Sequence, residues 1–237
     1  MEDRNFNLTS RKEDTRDKFH TEVIRFNSKE ILQHFLESIN AIKRQFALAD
    51  ELLENNRNIE AENIWRAQVI FLASSFDFYM HELTKYGLCE IYDENWDKTE
   101  KYSNIQIKMK ILEVALKSGE DIDWFLDSVN NLYRTVTMVS YESVKDQFNL
   151  LGIDLSEVAY KSFYQRGSHV KPKDKLRKCL EDLYNRRNFI AHQADRTHTD
   201  AQIKDITKEM VEGYISDIQK IVKSIDEEIN TKTIIDI

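Results

Sequence analysis

Almost nothing in this chain can end a helix: one proline and five glycines punctuate 237 residues. An all-β or α/β chain of this length needs a turn signal about every 8–12 residues. The chain is therefore expected to be all-α. Twelve Phe, ten Tyr and three Trp among 41% hydrophobic residues supply enough apolar surface for a packed core.

Apolar spacing places the helices. Asn27 and Glu30 have the types and spacing of a capping box. They open a helix over about 29–55 with the stripe Ile31, Leu32, Phe35, Ile39, Ile42, Phe46, Ala49 and Leu53. Asn55–Asn58 breaks it, and a second helix over about 59–91 carries Trp65, Val69, Leu72, Phe76, Tyr79 and Leu83. The short break predicts a long antiparallel helix pair. Shorter helices are expected near 104–117, 122–137, 140–150 and 155–165. Their breaks fall at Lys117-Ser118-Gly119-Glu120, near Thr135 and at Leu151–Asp154. Gln165–His169 with Pro172 forms the strongest loop signal.

The next helix, about 173–192, carries Leu176, Cys179, Leu180, Leu183, Tyr184 and Ile190. Thr199 and Gln202 match a second capping box, which predicts a final helix over about 200–230. Its inward side is expected to be Ile203, Ile206, Met210, Tyr214, Ile218, Ile221 and Ile225. The organisation this suggests is an N-terminal arm over 1–28 and a single helical domain over 29–237. Residues 100–170 read as a helical insertion, because no linker composition bounds them.

Composition removes several function classes. Cys89 and Cys179 are far apart and belong to no Cys/His cluster, so neither a zinc site nor a disulfide framework is supported, and no metal or cofactor is expected. The start, MEDRNFNLTSRKEDTRDKF, is charged throughout, unlike a secretory signal. Without a long apolar run, a cytoplasmic protein with no membrane partner is expected. A net charge of −8 argues against a general nucleic-acid coat protein. The charge is unevenly spread, however. Residues 161–187 hold nine basic and three acidic side chains, a balance of +6 that leaves −14 for the remainder. A solvated helix face would account for many of those lysines equally well.

At the end of that basic stretch begins Arg186-Arg187-Asn188-Phe189-Ile190-Ala191-His192. A guanidinium forks two donors onto phosphate oxygens, and an imidazole that titrates near neutrality can take and give a proton. These types suit acid–base chemistry on a phosphodiester. Asn188 and His192 share a helix face, but Arg187 and His192 lie roughly 140° apart around an ideal helix. Either the helix unwinds near Ala191, or two copies of the motif meet across a two-fold axis. The residues alone leave a plainer role open, since an Arg and a His in a last helical turn also satisfy the helix dipole.

The string RRNFIAHQAD over 186–195 resembles the signature of the HEPN superfamily, and looks most like the RiboL-PSP and related HEPN families of bacterial defence systems. The resemblance covers about 60–95 and 174–230. It implies a HEPN-like helical bundle that pairs as a homodimer with two motifs facing one another in a cleft. It also implies a metal-independent endoribonuclease of a defence or toxin system, leaving a 2′,3′-cyclic phosphate and a 5′-hydroxyl. A catalytically silent module binding a nucleotide, RNA or a protein partner such as an antitoxin is the alternative.

On that reading Arg187, Asn188 and His192 are catalytic, with Asn188 orienting, while Arg186, Lys171, Lys173, Arg177 and Lys178 contact RNA. Tyr184 could stack on a base. Asp77, in a stretch resembling the second conserved helix of these families, would face the motif and pair with Arg186 or Arg187. One departure concerns the tyrosine that some HEPN toxins carry two residues after the histidine. Ala194 stands there, so regulation through that tyrosine is not supported.

Overall fold

The computed structural model describes residues 23–118 and 124–233. Most of the arm expected over 1–28, the break at Gly119-Glu120 and the last four residues of the chain lie outside the described residues. Among the described residues the regular structure is helical: an isolated bridge between Arg196 and Ile203 is the one β contact.

Helix α1, Ser28–Glu54, opens with the expected capping box, in which Glu30 N–H donates to the Asn27 side chain and the Glu30 carboxylate accepts from Asn27 N–H. Its buried stripe is Ile31, Phe35, Ile39, Ile42, Phe46 and Ala49. Of the other residues expected there, Leu32 is half-buried and Leu53 exposed. Helix α2, Asn58–Tyr92, follows after three residues and packs along α1 more extensively than any other pair of elements. Every residue expected on its inner face, Trp65 through Leu83, is buried. Beyond Tyr79 it is enclosed almost all round, as befits the central helix of a bundle. Gly87 sits where a Cβ would come within 2.8 Å of Leu151 and Trp96, so a glycine lets those side chains close over α2.

The middle of the chain forms α3 (Glu100–Ser103), α4 (Met109–Ser118), α5 (Trp124–Tyr133), α6 (Tyr141–Leu151) and α7 (Leu155–Phe163). The expected break near Thr135 is present. The expected start at 104 is not, because α4 begins at Met109. Val144, Phe148, Leu151 and Val158 are fully buried in the main core, and α7 packs on both of the last helices. Gly152 ends α6 in a left-handed conformation, φ 65°.

Helix α8, Pro172–Gln193, and helix α9, Lys208–Thr233, complete the bundle against α2. Here one expectation fails: α9 starts at Lys208 rather than near 200. Asp200 binds the Thr197 hydroxyl and the Gln202 amide, and Thr197 N–H donates to Gln202 O at 3.0 Å. Those bonds fold 196–203 back on itself, and Asp200 takes the Gln202 amide that a Thr199–Gln202 capping box would use. Ile203 is consequently 44% exposed, and Met210 also lies outside the core, whereas Ile206, Ile218, Ile221 and Ile225 are buried.

Candidate functional site

Pro172 occupies the first turn of α8, where its missing N–H costs nothing. Leu176, Cys179, Leu180 and Leu183 bury one side of the helix. That packing turns Tyr184, Arg187, Asn188, Ala191 and His192 toward the other. Arg187 and Asn188 are half-buried and His192 is exposed. Arg187 Nη1 donates to Asn188 Oδ1 at 3.0 Å, and the guanidinium carbon lies 5.8 Å from the centre of the Tyr184 ring. The two contacts aim Arg187 along the helix surface. Tyr184 thus has Arg187 over its ring while also packing on the core.

The helix is continuous through Gln193. It does not unwind near Ala191, so the roughly 140° between Arg187 and His192 persists. Within one chain these two side chains do not converge.

The helix ends abruptly. Ala194 and Asp195 both adopt left-handed backbone, φ 49° and 60°, and Asp195 N–H reaches back to Phe189 O at 3.0 Å. Lys204 N–H donates to Asp195 O at 2.9 Å, and the Lys204 ammonium sits 3.2 Å from the centre of the Phe189 ring. An alanine at φ 49° carries strain that glycine would not. Ala194→Gly is expected to raise stability by about 0.4–1 kcal/mol, read as a rise in Tm of about 1–4 °C.

Arg186 does not face solvent, which corrects its assignment as an RNA contact. It is 9% exposed, and its Nη2 donates to Asp195 Oδ2 at 2.8 Å and to Asp205 O at 2.8 Å. Asp195 is fully buried and also receives Arg66 Nε from α2 at 2.9 Å. Arg66 in turn donates to Lys204 O at 3.0 Å and to Glu62. Neither the burial of Arg66 nor its partnership with Asp195 was read from the sequence. The available signal was an arginine directly after Trp65 in a long helix rich in apolar residues.

Asp77 likewise departs from expectation. Its Oδ1 accepts from Met138 N–H at 2.5 Å, and His81 Nε2 lies 2.8 Å from Val136 O. The two side chains thus hold the α5–α6 connection, and Asp77 pairs with neither Arg186 nor Arg187.

The basic stretch divides. Lys161 pairs with Glu228 at 2.7 Å, Lys175 lies over Phe163, Lys178 is 3.5 Å from Asp182, and Arg177 stacks at 4.6 Å on Tyr141. Arg177 and Lys178 nevertheless remain exposed, and pairs of this kind at a surface are weak. Lys171 and Lys173, at the start of α8, are exposed. Burial pushes the Cys179 thiol up to about 12, helped by the charges of Asp217 and Asp182, so it is no nucleophile at neutral pH.

Among the described residues no group of three or more His, Cys, Asp and Glu side chains is placed to hold a metal ion. No helix of the described residues is long and apolar enough to cross a membrane. A family model described as RiboL-PSP-HEPN matches residues 24–231, a span that takes in α1 and the 100–170 region as well as α2, α8 and α9. No curated protein and no solved structure matches the chain.

Proposed function

The chain belongs to the RiboL-PSP-HEPN family, and from that premise we propose that it is an endoribonuclease whose site forms where two copies of α8 meet. The observation that carries this reading is the arc of Arg187, Asn188 and His192 on an unbroken helix, with Arg187 aimed by Asn188 and Tyr184. One copy alone separates the arginine from the histidine. A second copy, related by a two-fold axis, supplies the missing partner to each.

The chemistry follows from the groups. RNA brings its own nucleophile, the 2′-hydroxyl. His192 of one copy removes its proton as the 2′-oxygen bonds to phosphorus. The P–O5′ bond breaks, and a protonated histidine delivers a proton to the leaving 5′-oxygen. Arg187 binds the phosphoryl oxygens and stabilises the charge that builds on them. Products are a 2′,3′-cyclic phosphate and a 5′-hydroxyl, and no step calls for a metal ion. Uncontrolled, such an activity is toxic, which suits a defence or toxin system restrained by a partner.

The testing experiment incubates the purified protein with RNA in EDTA and maps the ends. Undiminished cleavage with cyclic phosphate termini is expected, from a preparation that is dimeric by light scattering. Activity that disappears in EDTA and returns with Mg²⁺ rules out this mechanism, and a fully active monomer rules out the shared site. Lys171→Ala and Lys173→Ala are expected to weaken RNA binding uniformly across sequences. Each should also lower the slope of log K against log salt by about 0.7–0.9 for every phosphate that the missing ammonium no longer neutralises.

A further inference from the structure

We propose that Asp195 is a positioning residue for the Arg187/His192 site, acting through the guanidiniums of Arg66 and Arg186; the proposal rests on the ribonuclease reading above. Arg186 immediately precedes Arg187, and Asp195 follows His192 by three residues. Their side chains meet on one oxygen, Asp195 Oδ2, which lies 2.8 Å from Arg186 Nη2 and 2.9 Å from Arg66 Nε. The motif is therefore bracketed by a single contact anchored on α2. The same guanidiniums bind the carbonyls of Lys204 and Asp205, so the strand of chain leading into α9 is tied to the same point.

This arrangement sets the rotation of α8 about its own axis. With Arg186 held inward, Arg187 must project about 100° around the helix from it, and His192 about 240°. Reactive atoms lie about 5–6 Å from the axis, so a rotation of only about 10° displaces them by about 1 Å. A misplacement of that size is enough to cost about 10²-fold in rate. At the other end, the left-handed pair Ala194–Asp195 stops the helix at Gln193, one residue after His192, and holds His192 in its last turn. A buried ion cluster is a weak source of net stability compared with apolar packing, and specifying one geometry is the use that remains for it here.

The experiment compares wild type with Asp195→Asn, which keeps the shape and removes the charge, and with Arg66→Gln, which keeps Asp195 paired with Arg186. Both are assayed at a temperature well below their melting transitions. Expected is a 10–100-fold fall in kcat with KM within about twofold (the size set by the misplacement argument). The ¹³Cε1 resonance of His192 should move while those of His34 and His169 stay in place, a change that loss of stability alone would not produce in folded protein. Folded variants with wild-type kcat, or with an unmoved His192 resonance, overturn the proposal. A wild-type protein that cuts no RNA overturns the ribonuclease reading alone, and the His192 resonance then decides the positioning role by itself.

Discussion

Replacing His192 with alanine is expected to lower RNA cleavage by about 10²–10⁴-fold, the usual cost of losing a general acid–base. Arg187→Ala should cost about 10²–10³-fold by removing charge stabilisation. The fold should survive both. His192 is exposed and makes no contact that the core requires, so its variant should melt within about 0.5 kcal/mol of wild type. Arg187 gives up a hydrogen bond to Asn188 and its position over Tyr184, worth about 1 kcal/mol together. Toxicity on induced expression, cleavage of RNA in vitro and a melting curve for each variant make the test. A His192→Ala protein that cuts RNA as well as wild type removes the catalytic assignment and leaves a silent binding module. One that melts far below wild type shows instead that the imidazole serves the helix end.

Asp195→Ala should destabilise the protein by about 3–5 kcal/mol, because it leaves two guanidiniums buried beside each other with only the partly exposed Glu62 carboxylate, 3.2 Å from Arg66, as a counter-charge. For a chain of this size that corresponds to a fall in Tm of roughly 6–20 °C. The contrast is with ion pairs at the surface. Lys223 and Glu227 are 3.9 Å apart, with side chains 79% and 49% exposed, and Glu227→Ala should change stability by about 0–1 kcal/mol. Thermal denaturation of the two variants beside wild type measures both values. Equal small losses would mean that water reaches the Arg66–Asp195–Arg186 cluster and that its burial carries no energetic weight.

The sequence alone was enough to place most helices, because their signals are local. Helical spacing of apolar residues marks a buried face whichever partner covers it, so the stripe from Trp65 to Leu83 was legible before any packing was known. The Asn27–Glu30 box was legible for the same reason: donor and acceptor lie three residues apart. A similar box at Thr199–Gln202 failed because Asp200 captured the Gln202 amide first, and local polar signals compete on nearly equal terms. The motif 186–192 was equally plain as a string of residue types.

What those residues do with their side chains was not legible. Of two adjacent arginines, one is buried and one lies along the surface, a choice made by the rotation of α8 against α2. Arg66 and Asp195 meet across 129 positions, and Asp77 serves an amide 61 positions away. No spacing rule spans such distances. A charged side chain takes whichever partner the packed helices bring within about 3 Å, so the residue types could suggest the chemistry proposed for this motif, while only the tertiary structure decided which arginine is buried against Asp195 and which lies at the surface.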